Sequence, residues 1–252
     1  MSIPKKIHYC WFGGNELPEL ATNCINSWKK FCPDYEIIRW DENNFDITSN
    51  QYVKEAYESK KFAFVTDYVR LYVLYNYGGI YMDTDVEVIK CLDEFLRFEG
   101  FSGFETETSV PTGIMASVKH TELMHQLLQY YNKRHFITNG KLDTTTNVET
   151  ITKILMEKGL KIDNSLQCID GFSLFPKDFF CPKNYQDGQI YLTSNTATIH
   201  HFSGSWQSIE QKKATYLVRK YGKKKGVILY VMWLAIHSRD ELFNMVKRKV
   251  LK

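Results

Sequence analysis

One stretch of the sequence decides the fold: Gly78-Gly79-Ile80-Tyr81-Met82-Asp83-Thr84-Asp85. It follows a segment from about Val53 to Tyr77 in which apolar residues cover nearly the whole circumference of a helix, and this pattern is typical of a buried helix. The two glycines predict the end of that helix, and the residues from Ile80 to Ile89 resume with the pattern of a strand. We therefore expect a buried helix, a glycine turn and a strand that carries Asp83 and Asp85.

Helix and strand patterns alternate on both sides of this stretch. Upstream, an apolar strand from Ile3 to Trp11 ends at Gly13-Gly14, and such a strand end is a common ligand site in α/β sheets. The other elements are predicted as helices near 17–31, 121–133 and 147–158 and as strands at Tyr35 to Trp40, Gly100 to Phe104 and Ile114 to Ser117. The order predicts a mixed α/β domain, and 252 residues with 44% hydrophobic content are enough for one large core.

The C-terminal segment differs in composition from the rest. Residues 212–252 contain twelve Lys and Arg against Asp240 and Glu241, a net charge of +10 in a chain whose total is +3. The apolar run from Val227 to Ile236 follows three lysines and is too short to cross a bilayer, which takes about twenty residues in a helix. We predict an α/β domain over 1–210 and a basic, partly apolar helical tail over 211–252. The tail either lies in an anionic membrane interface or packs on the body or on a partner chain.

Asp83 and Asp85 are the first candidates for chemistry. Residues two apart on a strand point to the same face, so both carboxylates could reach one ion while Thr84 turns away. Two hard oxygen donors suit Mg²⁺ or Mn²⁺ held jointly with substrate phosphates. The alternative is a hairpin turn with two solvated aspartates. The buried helix, double glycine and apolar strand start that precede the pair favour the metal site.

Asp67 and Arg70 lie three residues apart, on one side of the predicted buried helix. Burying a charge is costly unless the charge is paired or bound, so a charged pair in an apolar helix needs an explanation. One explanation is an internal ion pair that only stabilises the fold. The other is that Asp67 accepts hydrogen bonds from sugar hydroxyls while Arg70 donates to sugar or phosphate.

A second polar segment, Thr198-Ile199-His200-His201-Phe202-Ser203-Gly204-Ser205-Trp206, lies far along the chain. Neutral imidazole is a good ligand for Mn²⁺, and Ser205 and Trp206 could bond a diphosphate from a loop that contains a flexible glycine. Either histidine could instead be a supporting or core residue.

Together these segments resemble the D-x-D sugar transferases of glycosyltransferase family 32, many of which build bacterial surface polysaccharides, and more distantly the glucosyltransferase domains of large clostridial toxins. The resemblance runs from Ile3 to about Trp206. Four motifs carry it: Ile7-His8-Tyr9-Cys10-Trp11-Phe12-Gly13-Gly14, Ala63-Phe64-Val65-Thr66-Asp67-Tyr68-Val69-Arg70, Gly78 to Asp85, and His200 to Trp206. It implies a GT-A fold, a single Rossmann-like α/β/α sandwich with a mixed central sheet, to which the chain adds a C-terminal helical appendage.

The resemblance also assigns roles to residues of the predicted donor site. Trp11 is similar to the residue that stacks on uracil, and Asp67 and Arg70 to those that hold the donor sugar and ribose. Asp83 and Asp85 correspond to the ligands of the metal and diphosphate, and we include the adjoining Phe12 and Thr84 in the donor-binding set.

In the C-terminal motif, the H-x-x-G spacing implied by the resemblance favours His201 over His200 as a third metal ligand. Ser205 and Trp206 are similar to the residues of a loop that closes over the donor. Families of this kind transfer with retention of anomeric configuration.

We therefore expect a metal-dependent enzyme that uses Mn²⁺ or Mg²⁺ to transfer a sugar from a UDP-sugar to a free or lipid-linked saccharide acceptor in capsular or surface polysaccharide synthesis. The alternatives are a protein-modifying, toxin-like transferase and a non-catalytic sugar-nucleotide-binding module. The sequence has six cysteines without a C-x-x-C pair and no signal-peptide pattern. We expect a cytoplasmic protein without a nucleic-acid partner. If the tail lies in a membrane interface instead of packing on the protein, it contacts the inner face of the membrane through 223–252.

Overall fold

A computed structural model describes residues 2–111, 113–185, 187–204 and 209–238. These residues form two compact units. The first contains the described residues of Met1–Lys183 and Tyr191–Ser203, and the second those of Asn184–Ile190 and Gly204–Lys252. The domain boundary predicted at residue 210 stays a prediction. Ser205 and Trp206, predicted in the closing loop, lie outside the described residues.

The described part of the chain contains helices and strands in alternation. The helices are α1 (Glu19–Phe31), α2 (Gln51–Glu58), α3 (Phe62–Tyr77), α4 (Glu122–Gln129), α5 (Asn147–Glu157), α6 (Lys177–Phe180), α7 (Ile209–Tyr221) and α8 (Lys223–His237). The strands are β1 (Lys6–Cys10), β2 (Glu36–Trp40), β3 (Gly79–Met82), β4 (Val86–Val88), β5 (Gly100–Gly103), β6 (Ile114–Ser117), β7 (Ile137–Thr138), β8 (Lys141–Leu142), β9 (Gln167–Ile169), β10 (Phe172–Phe175) and β11 (Thr198–His200).

The main sheet, among the residues described, has seven strands in the order β2-β1-β3-β6-β5-β10-β9. Strand β1 pairs in parallel with both β2 and β3, whereas β6 runs antiparallel to β3 and β5. Two small sheets, β11-β4 and β7-β8, accompany it. The predicted α/β class with a mixed central sheet is confirmed.

The sheet separates two apolar clusters, because successive residues of a strand point to opposite faces. On β3, Tyr81 belongs to the cluster that contains much of α3, while Ile80 and Met82 belong to the cluster that contains Trp28 of α1. The indole of Trp28 is fully buried and donates to the carbonyl of Val86 at 2.7 Å. This contact fixes α1 against the residues that follow the two aspartates.

Two predicted elements differ from the structure. The single helix expected over Val53 to Tyr77 is two helices, because Lys60, between α2 and α3, adopts a left-handed backbone conformation with φ of 56°. The single strand expected from Ile80 to Ile89 is also divided, since a turn separates β3 from β4.

In the second unit, α7 and α8 pack closely together at Gly226 of α8. A Cβ added to Gly226 would lie 2.5 Å from the Val218 Cα of α7. The predicted helical character of the tail is therefore confirmed over these two helices. No helix among the described residues is long and apolar enough to cross a membrane.

Candidate active site

Asp83 and Asp85 lie in the turn between β3 and β4. The Asp83 carbonyl accepts from the Val86 backbone N–H at 3.0 Å, and the Asp83 N–H donates to the Gly113 carbonyl at 2.8 Å. The two carboxylates therefore meet through a turn at a strand end, not through the alternation of a continuous strand. The turn is not solvated, because Asp85 is buried and the Asp83 side chain is only 25% exposed.

His200 of β11 joins the two aspartates. Ligand atoms of Asp83, Asp85 and His200 all lie within 4.8 Å of one another. The His200 Nε2 is 3.4 Å from the Asp85 Oδ1, and the backbone N–H of Ser203 donates to the Asp85 Oδ2 at 2.7 Å. Carboxylate oxygens and an imidazole are ligands that Mn²⁺ accepts, so the donor set fits the divalent ion that the D-x-D resemblance implies.

Gly113 leaves the space for this cluster. A Cβ at this position would come within 3.2 Å of the Asp83 Oδ2 and 3.3 Å of the His200 Cδ2. A side chain there would therefore push the proposed ligands apart, which is a second reason why these residues fit a bound ion.

Of the two histidines, the structure places His200 beside the two aspartates. The His201 Nε2 hydrogen-bonds the Glu87 Oε2 at 2.9 Å, and the His201 backbone N–H donates to the carbonyl of Asp85. Neighbouring residues of an extended chain point to opposite sides, so only His200 faces the two aspartates. The geometry therefore favours His200 over the predicted His201 as the third ligand, and the ligand assignment itself stays a prediction.

Arg70 connects α3 with the acidic turn. Its Nη2 donates to the Asp83 Oδ1 at 2.9 Å and is 3.6 Å from the Asp67 Oδ1, and its guanidinium lies 4.7 Å from the centre of the Tyr81 ring. The Tyr81 hydroxyl donates to the same Asp83 oxygen at 3.1 Å. The predicted pair thus belongs to an ion-pair network that extends to Asp83, which supports the structural explanation, and the role in donor binding stays a prediction.

Arg70 also retains a free donor. Its Nε–H is buried and has no hydrogen-bond partner among the described residues. Buried polar groups without partners are rare, and a ligand is one of the standard explanations.

Asp67 is held by the first residue of α5. The Asn147 backbone N–H donates to the Asp67 Oδ2 at 3.1 Å, and the Asn147 side-chain amide donates to the Asp67 carbonyl at 3.0 Å. The Tyr131 hydroxyl in turn donates to the Asn147 Oδ1 at 3.3 Å. Sequence reasoning missed Asn147, since its only local signal is the Thr146 and Glu149 capping box of α5.

Burial and charge shift the acidic groups in different directions. Burial raises the pKa of Asp67 to about 6, and the guanidinium of Arg70 opposes that rise. Burial also raises the pKa of Asp83 in spite of Arg70. Burial acts in the same direction on Asp85, but His200 and the Ser203 N–H outweigh it and hold the Asp85 pKa well below its ordinary value.

The pKa of His200 is shifted in the direction opposite to that of Asp85. Burial acts to lower its pKa, but Asp85 outweighs burial and raises the pKa well above the ordinary value. The Glu105 Oε1 lies 3.5 Å from the His200 Nδ1 on the other side of the ring. Binding of a cation at this cluster requires neutral imidazole and therefore releases a proton.

The N-terminal candidates lie at the same edge of the sheet. Trp11 follows β1 and Asp83 follows β3, and these strands are parallel neighbours, so both residues lie beyond the same strand ends. The half-buried Trp11 indole donates to the carbonyl of Asn15 at 2.7 Å. Phe12 is a core residue packed edge-on against Phe45, so we withdraw it from the donor-binding set. Thr84 lies half-buried in the acidic turn, and its role stays a prediction.

The part of the chain that contains this site is similar to known proteins. A family model described as glycosyltransferase sugar-binding region containing DXD motif matches residues 18–102, which include Asp67, Arg70, Asp83 and Asp85. Inositol phosphoceramide mannosyltransferase 3 of Schizosaccharomyces pombe is 30% identical over 132 residues, which are 51% of this chain and 37% of that protein. This chain therefore spans well under half the length of that curated relative.

Two further proteins are similar over more of their length. An uncharacterized glycosyltransferase of Acanthamoeba polyphaga mimivirus is 27% identical over 249 residues, which are 92% of this chain and 98% of that protein. The solved structure of the PaToxG glycosyltransferase superposes with a TM-score of 0.45 at 17% identity over 64% of this chain and 73% of the other. The sequence matches confirm the predicted resemblance to D-x-D sugar transferases, and residues 18–102 are the part that matches the sugar-binding family model.

Proposed function

We propose that this protein is a metal-dependent glycosyltransferase that moves a sugar from a UDP-sugar to a saccharide acceptor with retention of configuration, in the synthesis of a capsular or surface polysaccharide. The observation that carries the proposal is the cluster of Asp83, Asp85 and His200 within 4.8 Å at the end of β3, beside the buried Arg70. The family match over these aspartates supports it.

Each residue has a part in this reaction. Asp83, Asp85 and His200 would hold Mn²⁺ or Mg²⁺, which neutralises charge on a diphosphate leaving group. Arg70 fixes the orientation of Asp83 through its Nη2 and offers its buried Nε–H to the donor. Asp67, once ionised, accepts hydrogen bonds from hydroxyls of the donor sugar.

The proposed transfer needs no nucleophilic side chain from the protein. The bond between the anomeric carbon and the diphosphate oxygen breaks with its electron pair on that oxygen. The acceptor oxygen forms the new bond on the same face, and its proton passes to the leaving diphosphate.

The two adjacent histidines provide a matched test. His200→Gln should weaken Mn²⁺ binding, measured by titration calorimetry, while His201→Gln should leave it within about twofold because His201 contacts Glu87 instead. Asp85→Ala should lower Mn²⁺-dependent release of UDP from UDP-sugars about a hundredfold or more. Equal Mn²⁺ affinity in the two histidine variants, or unchanged UDP release in Asp85→Ala, would refute the metal site. UDP-sugar binding without turnover in the unmodified protein would instead favour the binding module.

We also propose that α8 brings the enzyme to a lipid-linked acceptor. Ile228, Met232 and Ile236 recur every four residues on one face of α8 and are 61%, 58% and 77% exposed. Lys223, Lys224 and Lys225 begin the same helix, and positive charge beside exposed apolar residues suits an anionic membrane interface. The acceptor named for the Schizosaccharomyces pombe relative, an inositol phosphoceramide, supports a lipid-borne substrate.

A further inference from the structure

A groove of about 630 Å³ lies on the surface of the first unit and is lined by residues outside the acidic turn. One wall is the turn that contains Thr108 and Ser109, and the other is the outer face of α5, which contributes Val148, Lys153 and Met156. The volume is in the range of small-molecule sites in proteins. None of its lining residues belongs to the donor site described above.

The first wall is attached to the donor site at both ends. Glu105, where the segment begins, lies 3.5 Å from the His200 Nδ1, and Gly113, where it ends, accepts the backbone hydrogen bond of Asp83. Between these ends, the Thr152 hydroxyl of α5 accepts from the Val110 N–H at 3.0 Å and donates to the Val110 carbonyl at 2.6 Å. Glu105, Gly113 and Val110 therefore connect this part of the chain with His200, with Asp83 and with α5, respectively.

The second wall leads to the other side of the same site. Helix α5 begins at Asn147, which holds Asp67 through two hydrogen bonds. Val148, the next residue, already lines the groove. The α5 wall thus starts at the residue that bonds the Asp67 carboxylate, and the other wall starts at Glu105, beside the His200 ring.

The lining suits a sugar ring better than a nucleotide. Val148 and Met156 offer apolar surface for the C–H face of a sugar ring, and the Thr108 and Ser109 hydroxyls and the Lys153 ammonium offer hydrogen bonds. With Glu149 and Glu157 also in the lining, the carboxylates outnumber the ammonium, which disfavours a polyanion.

We propose that this groove is the acceptor subsite and that it binds the saccharide to which the sugar is transferred. This inference rests on the proposed transferase function. The groove receives the part of the acceptor remote from the reacting hydroxyl, and the loop from Glu105 to Gly113 and the start of α5 direct the acceptor towards Asp83 and Asp67.

Binding of small glycosides provides the test. The probes are the methyl and octyl glycosides of glucose, galactose, mannose and N-acetylglucosamine, observed by saturation-transfer NMR with Mn²⁺ and UDP present. Met156→Arg places a long charged side chain in the groove from an exposed helix position and should weaken binding of the methyl and octyl forms about tenfold or more. The matched control is Leu166→Arg, an exposed apolar position outside the groove lining, which should bind as the unmodified protein does.

UDP release from UDP-sugars without acceptor distinguishes this inference from the proposed function. Met156→Arg should leave that rate and the melting temperature unchanged, since it touches no donor-site residue. If Met156→Arg binds every glycoside as well as the unmodified protein, if no glycoside binds the unmodified protein, or if only octyl glycosides lose affinity, the acceptor assignment is wrong. Failure of the unmodified protein to release UDP from any UDP-sugar with Mn²⁺ would instead remove the proposed function.

Discussion

Helices α3 and α8 have similar lengths and similarly apolar sequences but opposite environments. Of the sixteen residues of α3, eight are buried, including the charged Asp67 and Arg70. Of the fifteen residues of α8, only Gly226 and Leu234 are buried in the part of the chain that the structure describes. Helix α3 lies against the sheet, while α8 exposes a stripe of apolar residues that follows the three lysines of its first turn.

The difference shows that composition does not determine where an apolar helix is placed. In α3 the exceptions to the apolar pattern are two charges, and they are stabilised because Asp83 and Asn147 supply partners. In α8 the charges are grouped at one end and the apolar residues remain exposed. In this chain, the charged pair of the buried helix α3 therefore marks a candidate ligand site. The exposed apolar stripe of α8 beside its lysines marks a candidate surface for contact with a membrane.

The largest expected effect concerns the buried charge of α3. Arg70→Leu leaves Asp67 and Asp83 without their cation and should lower the free energy of unfolding by about 3–5 kcal/mol, as measured by urea titration without metal. Lys224→Leu, an exposed cation in the first turn of α8, should change it by less than about 0.5 kcal/mol. If the two losses are equal, the Arg70 network does not stabilise the fold.

A core truncation in α3 should have the next largest effect. Leu74 is fully buried. Leu74→Ala should lower the free energy of unfolding by about 2–5 kcal/mol, because it removes buried methyl groups and leaves a cavity. Thermal and urea unfolding of this variant measure the cost. If the free energy of unfolding falls by less than about 1 kcal/mol, as expected for a surface position, the packing of α3 on the sheet is contradicted.

Membrane contact by α8 should respond to charge on its apolar stripe. Replacing both Ile228 and Met232 by Glu should lower binding to anionic liposomes about tenfold or more, because apolar surface no longer enters the interface. Leu142→Glu, at an exposed apolar position of β8, is the control and should bind as the unmodified protein does. Equal flotation of all three proteins would exclude α8 as the contact.

The smallest effect should come from truncation in α8. Met232 is 58% exposed, so Met232→Ala should change the free energy of unfolding by less than about 0.5 kcal/mol. The same unfolding measurements as for Leu74→Ala apply. A loss comparable to that variant would mean that this face of α8 is covered in the folded protein and would also contradict the membrane proposal.

Local patterns predicted much of the donor site. Asp83 and Asp85 are adjacent to β3, and Asp67 and Arg70 share a helix, so their proximity within each pair follows from short spacing along the chain. The double glycine predicted the end of α3, and Gly78 and Gly79 indeed adopt φ of 63° and 109°. The predicted continuity of helix and strand was wrong at Lys60 and at Asp83, where turns interrupt otherwise regular patterns.

The sequence by itself determined the class of fold, the position of Asp83 and Asp85 after a buried strand start, and the charged pair of α3, because each depends on residues near one another in the chain. Tertiary structure alone decided that His200 rather than His201 faces the aspartates, that Asn147 holds Asp67 across a separation of 80 residues, and that Gly113 leaves room for the cluster. The physical reason is strand pairing: β11 pairs antiparallel with β4 and places His200 opposite Val86. No local pattern carries that register, because it depends on packing between segments more than a hundred residues apart.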